Sequence, residues 1–481
     1  MKDKGINGKP TGKFVAGIIV ILLYSLALPF FLGVVYAGIN GVSFGKTFSD
    51  VYRYFVLAGV MFAILFTVES YIFFRRKDLT GDGKQLGVIL ISLTLCYLFA
   101  IIFGNFISLF SMPLLLFGLI IALLVDKRLA LFSNIMFSIA FFLCYITVEP
   151  AIPVLQCISA ILTQAVTSSL MISIMSKSYT RMTFIKNALL VGAFMAAPVA
   201  ILTGLLQQGY EWMDILMGGV WAFISVLLGV ALFMIVLPVI EDAFGMYSDF
   251  KLEEICSPDA KLMKRLAKEA PGTYNHSLAV GNLAEICAIK IGENPALAKA
   301  GAYYHDVGKL KNPLCFTENQ NGYNPHDDFI PEVSVYMITD HVTYGAELIK
   351  KYKLPTALAD IAKEHHGTTP VQYFLNKAKS ITDEQLAREQ FCYHGPKPQT
   401  KISGLIMIVD TVEAATRAMG ADADSEKLRE FIHKLIDSKV STGQFTECPL
   451  TFKDLQDIED TLVATLPSLY HQRIKYVKDK K

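Results

Sequence analysis

Residues 301–309 read Gly-Ala-Tyr-Tyr-His-Asp-Val-Gly-Lys, a helical run of small and aromatic residues that ends in an adjacent His305 and Asp306. The chain contains nine histidines, and all of them lie between His276 and His471. Neutral imidazole and carboxylate groups are the usual ligands of a catalytic divalent metal. The sequence therefore divides into a histidine-free half and a half that can bind metal.

Several further histidines and one acid occupy otherwise apolar helical settings around this run: His276, His341, His365, His366 and Asp410. An acid in a buried helix is costly unless it is paired or coordinates a cation. Adjacent helical residues point about 100° apart, so His305 can face one ion while the two oxygens of Asp306 bridge a pair. Lys309 follows three residues later on the same face and can neutralise a phosphate oxygen. One such histidine would indicate ordinary packing, but the whole set predicts a metal site.

Composition separates the two halves further. Hydrophobic residues make up 53% of the 481 residues and charged residues 18%, which is too apolar for an ordinary soluble protein. A net charge of +1 gives no drive toward a nucleic acid polymer. The eight cysteines contain no CxxC pair, which indicates reduced thiols in a cytosolic compartment.

Apolar runs fill the first half of the chain. A membrane span needs about 20 mostly apolar residues, and the sequence predicts eight runs of about that length, near 14–38, 53–74, 86–104, 106–126, 129–148, 151–176, 187–206 and 214–240. Cations precede the first run and follow the second, fourth and sixth. The positive-inside rule then places the amino terminus in the cytoplasm of a bacterial cell, and an even number of spans returns the chain there.

The second half shows helical spacing and weak strand signals. We therefore predict an all-α fold: a transmembrane helical bundle over 1–240, a connecting helix over 241–270 and a cytosolic all-α domain over 271–481. Helices are expected near 273–291, 295–309, 330–351, 355–366, 402–419, 424–437 and 452–479. Segments 311–329 and 368–401 are expected to be long loops that carry binding function.

The pattern His…His-Asp…Asp resembles the HD metal-dependent phosphohydrolase superfamily. Four stretches narrow the resemblance to the membrane-anchored seven-transmembrane HD family: Ala270–Ser277, Gly301–Lys309, Glu364–Thr369 and Gly395–Lys401. Glu318-Asn319-Gln320 and Asn324-Pro325-His326-Asp327 also fit that family. The similarity covers about residues 241–475, and the multi-span half agrees with it in layout.

This resemblance implies a domain that binds two divalent metal ions, manganese or iron, and hydrolyses cyclic di-AMP to linear pApA. A hydroxide shared by two ions can attack phosphorus in line. By position, one ion would be bound by His276, His305, Asp306 and Asp410. The other would be bound by Asp306, His341, His365 and His366, with His366 either a ligand or a support.

Substrate contacts are expected from Lys309, Thr368 and Lys397. In the 368–401 segment, aromatic and cationic side chains could stack on adenine and bind the second phosphate, or could belong to a solvated loop; they are Tyr373, Phe374, Tyr393, Lys397 and Lys401.

The sequence departs from the family pattern in two places. Residues 39–52 form a short loop where the family has a large extracytoplasmic domain, and Asn312 stands where the family commonly has arginine. The expected partners are a cyclic dinucleotide and the lipid bilayer, with a homodimer left open. Two other functions stay open: hydrolysis of another nucleotide such as ppGpp or cyclic di-GMP, and a membrane receptor that senses a nucleotide without turnover.

Overall fold

The structure is a computed structural model that describes residues 12–75, 83–148, 154–175, 181–206, 211–381, 386–419 and 425–469. The chain forms two compact units, Met1–Phe250 and Lys251–Lys481. Across these described ranges the regular structure is helical, and the β-structure is one isolated bridge between Pro370 and Cys392. The all-α prediction is confirmed.

Seven long helices of the first unit are apolar enough to cross a membrane. Each follows one of the predicted runs, and a lipid-facing surface explains why many of their large apolar side chains are exposed. They are α1 (Gly12–Asn40), α2 (Val51–Arg75), α3 (Lys84–Phe106), α5 (Lys127–Val148), α6 (Val154–Met175), α7 (Arg181–Leu206) and α8 (Trp212–Phe244).

The fourth predicted run, 106–126, differs from an uninterrupted span. It forms a 3-10 turn over Leu109–Ser111, an irregular step at Met112–Leu114 and then α4 (Leu115–Leu124). Ten helical residues extend only about 15 Å, half of the hydrocarbon thickness. Pro113 lacks a backbone N–H and disfavours a helical residue before it, so the helix restarts after the proline. Hydropathy depends only on the apolar composition of this run, so it does not reveal that the backbone is broken.

The break at Met112 is buried inside the helical bundle. The Met112 carbonyl accepts hydrogen bonds from Gln164 Nε2 at 2.7 Å and from Ser225 Oγ at 2.9 Å. Both donors are almost fully buried, on α6 and α8. Non-helical backbone at membrane depth requires such internal partners, because lipid supplies none. Helix α4 lies between α3, α5, α6 and α8 and is the most buried helix of this unit.

The helices after α8 begin at the end of the first unit and continue through the second. They are α9 (Asp249–Ile255), α10 (Lys261–Glu269), α11 (Pro271–Ile291), α12 (Pro295–Tyr304), α13 (Pro331–Lys351), α14 (Thr356–Glu364), α15 (Gln372–Ile381), α16 (Lys401–Met419), α17 (Ser425–Ser441) and α18 (Phe452–Leu469). The main core of this unit joins α11, α12 and α16 to α17 and α18.

Three details of the second half correct the sequence prediction. The expected connecting helix over 241–270 is not one helix, because α8 continues to Phe244 and two shorter helices follow. The helix expected over 295–309 ends at Tyr304. The loop expected over 368–401 contains α15, whose Phe374 and Leu375 pack into a small apolar core with Phe391.

Some sequence predictions concern residues outside the described ranges. They include the loop cations Lys2, Lys4, Lys9, Arg76, Lys77 and Lys177, and the predicted continuation of the last helix from 470 to 479.

Candidate metal centre

His305 and Asp306 lie where the chain leaves α12. The backbone of His305 is still helical, with φ −57° and ψ −37°. The backbone of Asp306 is no longer helical, with φ −105° and ψ 10°. A 3-10 helix over Val307–Lys311 follows, and its i to i+3 spacing places Lys309 beside Asp306. The expected placement of Lys309 on the face of Asp306 thus arises from a 3-10 turn, although α12 itself has ended.

Gly308 allows this turn to approach α13. A Cβ atom at position 308 would lie 1.8 Å from the His341 carbonyl oxygen and 2.6 Å from the backbone nitrogen of Gly345. Only glycine permits backbones this close, because any side chain would collide with the helix. The close approach brings Asp306 within reach of His341.

One cluster of possible ligands surrounds Asp306 Oδ2. His305 Nε2 lies 3.2 Å and His276 Nε2 3.8 Å from this oxygen. Asp410 Oδ1 completes the cluster at 2.9 Å from His276 Nε2 and 3.6 Å from His305 Nε2. One ligand atom from each of the four residues lies within 4.8 Å of the others.

A second cluster surrounds the other oxygen of the same carboxylate. Asp306 Oδ1 lies 3.3 Å from His341 Nε2 and 3.7 Å from His365 Nε2, and these two nitrogens are 3.4 Å apart. His366 belongs to the same group within the 4.8 Å limit. The structure therefore brings together all seven predicted ligands, with Asp306 common to both clusters.

Hydrogen bonds behind the rings orient four of the imidazoles. Three histidines direct Nδ1 to the carbonyl three residues earlier: His305 to Ala302 at 2.6 Å, His341 to Ile338 at 2.6 Å and His365 to Ala362 at 2.9 Å. His276 directs Nδ1 to the carboxylate of Glu413 at 2.5 Å. Each arrangement leaves Nε2 facing Asp306, as a metal-binding histidine requires.

The residues fit a divalent cation in their chemistry. His305 Nε2 and Asp306 Oδ1 are buried, and neither makes a hydrogen bond within the described part of the chain. Burial lowers the pKa of His305, but the charges of Asp306 and Asp410 outweigh it and raise that pKa to about 10. These carboxylates thus favour positive charge between them, which a metal ion supplies. Burial lowers the pKa of His365 to about 4, so its imidazole is neutral, as a ligand must be.

Lys309 is held by two carboxylates. Its Nζ lies 2.7 Å from Asp306 Oδ2 and 2.8 Å from Glu318 Oε1. Burial lowers the pKa of Lys309, but the two carboxylates raise it by a larger amount. The net shift of the pKa is upward, so the side chain is charged. An ammonium group has three donors, and this pair occupies two of them.

The predicted substrate residues Thr368 and Lys397 lie on either side of Gly395. Thr368 N donates to Gln444 Oε1 at 2.9 Å, and Lys397 Nζ donates to Thr446 Oγ1 at 3.2 Å. Both therefore contact the turn between α17 and α18.

Among the other residues of the 368–401 segment, only Tyr393 reaches the ligand clusters in the described structure. Its ring stacks on His366 with centroids 4.3 Å apart. Phe374 is buried in the small core, and Lys401 forms an ion pair with Asp454 at 3.0 Å. Tyr373 is exposed. Substrate roles for Phe374 and Lys401 are thus not supported by their positions.

Sequence reasoning missed Glu413 and underrated Glu318. Glu318 is a carboxylate in a turn segment without a histidine neighbour, so residue type and spacing gave no sign of it. A signal for Glu413 does exist: it follows Asp410 by three residues and lies on the same helical face.

Comparisons with known proteins divide the chain in the same way. Residues 273–415 match the family model described as HD domain, and residues 51–248 match the one described as 7TM receptor with intracellular HD hydrolase. The two matches follow the two units of the structure. Over these two matches the chain is similar to seven-transmembrane receptors with an intracellular HD hydrolase, and the cluster of histidines and aspartates that could hold metal lies in the half that matches the HD domain.

Particular relatives can be named. The cyclic-di-AMP phosphodiesterase PgpH of Bacillus subtilis is 44% identical over 262 residues, which cover 54% of this chain and 36% of that protein. The protein of the same name from Listeria monocytogenes is 44% identical over 277 residues, which cover 57% of this chain and 37% of that protein. The chain thus spans about a third of the length of the curated relatives that it matches. A crystal structure of the L. monocytogenes PgpH HD domain in complex with cyclic di-AMP aligns with TM-score 0.43 and 45% identity, covering 44% of this chain and all of that one.

Proposed function

We propose that this protein is a membrane-anchored phosphodiesterase that binds two divalent metal ions and hydrolyses cyclic di-AMP to linear pApA. The observation that carries the proposal is the position of Asp306, whose two oxygens face separate groups of imidazoles. A carboxylate that two clusters share is the arrangement expected of a bridging ligand. The ligands would be His276, His305 and Asp410 on one side and His341, His365 and His366 on the other.

Two bound ions would supply an activated water as nucleophile and would neutralise charge on the phosphate during in-line displacement. The chain's own residues would place the substrate. Lys309 retains one ammonium donor beyond its two carboxylate partners, and this donor can bind a phosphoryl oxygen. Mixed nitrogen and oxygen ligands suit manganese or iron.

Cyclic di-AMP is favoured over other nucleotides by the two curated relatives, which are named as cyclic-di-AMP phosphodiesterases. Tyr393 presents an aromatic face beside His366 on which an adenine can stack. Lys397 and Thr368 contact the turn between α17 and α18 and would bind the second phosphate and its base.

The decisive experiment uses the full chain in detergent. Metal would be removed by chelation and manganese restored, and turnover would be measured with cyclic di-AMP, cyclic di-GMP and ppGpp in parallel. We expect manganese-dependent cleavage of cyclic di-AMP to pApA that exceeds cleavage of the others. Tight binding of cyclic di-AMP without any product would contradict the proposal and would favour a receptor.

We further propose that the amino terminus and the HD domain lie in the cytoplasm. The family model that names seven membrane helices matches 51–248, where six long helices and the broken segment Leu109–Leu124 occur. The 3-10 turn, the irregular step and α4 together can extend roughly 25–30 Å, which approaches the bilayer thickness. With this segment as a discontinuous crossing, eight crossings result, and Lys127 and Arg128 fall on the cytoplasmic side, as the positive-inside rule favours.

Reporter fusions test this orientation. Alkaline phosphatase is active outside the cytoplasm and green fluorescent protein fluoresces inside it. We expect active phosphatase after Ser108 and fluorescence after Arg128, because one crossing separates the two positions. The same reporter working at both positions would show that the broken segment does not cross.

A further inference from the structure

We infer that Glu413 is a positioning residue that orients His276 and strengthens the ion site formed by His276, His305, Asp306 and Asp410. The inference rests on the proposed function, in that it assumes that these residues bind an ion. It assigns the two ion sites different affinities, because among the four histidines whose Nδ1 partners the described residues provide, His276 alone has a carboxylate there.

The geometry around Glu413 is that of a buried and fully engaged carboxylate. Its Oε2 lies 2.5 Å from His276 Nδ1, and its Oε1 accepts a hydrogen bond from Arg417 Nη2 at 2.6 Å. Glu413 is only 1% exposed and its contact with His276 is buried, whereas the Arg417 side chain is 45% exposed. The arginine fixes the carboxylate from one side while the carboxylate fixes the imidazole from the other.

Glu413 also links two helices. His276 lies on α11, whereas Glu413 and Asp410 lie on α16, three residues apart. Because α16 contributes both partners of His276, the ring is held at Nδ1 by Glu413 and faces Asp410 Oδ1 at 2.9 Å with Nε2. One helix therefore sets the position of the imidazole relative to the neighbouring acid.

The other three oriented histidines differ in the chemistry of their supports. His305, His341 and His365 each use a neutral carbonyl of their own helical segment. A carboxylate behind an imidazole raises the basicity of the opposite nitrogen more than a carbonyl does, which strengthens its bond to a metal. Loss of such outer groups commonly lowers metal affinity by about 10–100-fold.

The chain contains a matched control for this arrangement. Arg429, Glu459 and His433 repeat the order arginine, glutamate and histidine on α17 and α18, with His433 Nδ1 2.8 Å from Glu459 Oε2 and Arg429 Nη1 3.3 Å from Glu459 Oε1. None of these three belongs to either ligand cluster of the described residues. Glu459→Gln therefore removes the same charge from the same kind of triplet, away from the proposed site.

The experiment titrates the metal-free full chain in detergent with Mn²⁺ and follows free and bound ion by electron paramagnetic resonance. We expect wild type to bind two ions and to show the signal of a coupled manganese pair. Glu413→Gln keeps the size and a hydrogen-bond acceptor but removes the charge. It should weaken one ion by about 10–100-fold and leave the other unchanged, so that the mononuclear six-line spectrum replaces the pair signal.

Two further variants decide how the result is interpreted. Glu413→Asp keeps the charge at a shorter reach and should lose less affinity than Glu413→Gln, while Glu459→Gln should match wild type. Equal affinity in wild type and both Glu413 variants would overturn the inference, and so would equal weakening of both ions. Turnover is not part of this readout. A wild type that binds two ions but does not cleave cyclic di-AMP would refute only the proposed function.

Discussion

The two units of this protein bury polar side chains of different kinds. In the described part of the membrane unit, the buried polar residues are serine, threonine, asparagine and glutamine, apart from Glu241 near its end. In the second unit, Lys251–Lys481, which contains the HD domain and is called the HD unit, the buried polar residues include four histidines and two aspartates within a few ångströms of one another. Neutral side chains in the membrane unit can donate hydrogen bonds to backbone carbonyls, as Gln164 does to Met112. Charged groups in the HD unit are concentrated where a cation can balance them.

Burial of polar groups therefore has a different meaning in the two units. Burying an amide costs little free energy once its hydrogen bonds are made, so a buried amide indicates a structural role. Burying a cluster of acids and imidazoles costs much free energy unless an ion balances their charge, so such a cluster indicates a binding site for an ion. Substitutions of the two kinds of buried polar group test this contrast.

Asp306 provides the strongest test of the contrast between neutral and charged buried groups. Asp306→Asn removes the charge that both clusters share, and we expect loss of both ions and a fall in cyclic di-AMP hydrolysis beyond about 100-fold, more than loss of an outer group causes. Metal content and turnover would be measured on the same preparation. Asp437→Asn, which removes an exposed acid, serves as the control. Full activity of Asp306→Asn would reject the bridging role.

Lys309 distinguishes catalysis from metal binding within the same cluster. Lys309→Ala should lower turnover by about 100-fold, as loss of one donor to a transition-state oxygen does, while two ions stay bound. The bound ions would take over the neutralisation of Asp306 and Glu318. Loss of metal together with turnover would show that Lys309 has a structural role instead.

Gln164 tests the neutral side of the contrast. Gln164→Leu leaves the Met112 carbonyl with one side-chain donor, Ser225, and should destabilise the protein by about 1–2 kcal/mol. The thermal midpoint in detergent measures this effect. Thr67→Val is the control, because the Thr67 hydroxyl is exposed and bonds only to a carbonyl of its own helix. Equal midpoints for wild type and Gln164→Leu would mean that the break is stable without this bond.

The smallest effect is expected at an exposed ion pair. The hydrogen bond to Glu459 raises the pKa of His433 in the folded chain, so the pair stabilises the protein while His433 is protonated. This contribution is complete below the unfolded pKa near 6.5 and disappears as the pH rises through the higher folded value. Glu459→Gln should therefore lower stability by less than about 1 kcal/mol more at pH 5.5 than at pH 9, where only the ion pair with Arg429 is lost. A loss of the same size at both pH values would contradict the electrostatic explanation.

The sequence predicted more of the site than of its surroundings. Histidine and aspartate are rare enough in apolar helices that their types alone marked the ligands, and the structure brings these seven residues together. The supporting residues carried no such mark. Glu413 and Glu318 are distinguished by contacts across the fold, and such contacts depend on how α16 and the 3-10 turns pack.

The prediction of secondary structure failed where local and tertiary preferences compete. Residues 372–381 are polar enough to suggest a loop, yet they form α15 because Phe374 and Leu375 can be buried against Val335 and Phe391. In the membrane unit, the apolar run of 106–126 predicted a continuous helix, but Pro113 divides it, and Gln164 and Ser225 stabilise the break.

By itself, the sequence determined the all-α class, the apolar half with its membrane helices and the residues able to bind metal. Those features follow from composition and side-chain chemistry, which do not depend on packing. The tertiary structure alone decided which oxygen of Asp306 faces which imidazoles, how Gly308 allows that approach and which acid supports His276. Such choices are made at distances of about 3 Å between residues far apart in the chain, where only the folded packing of helices sets the geometry.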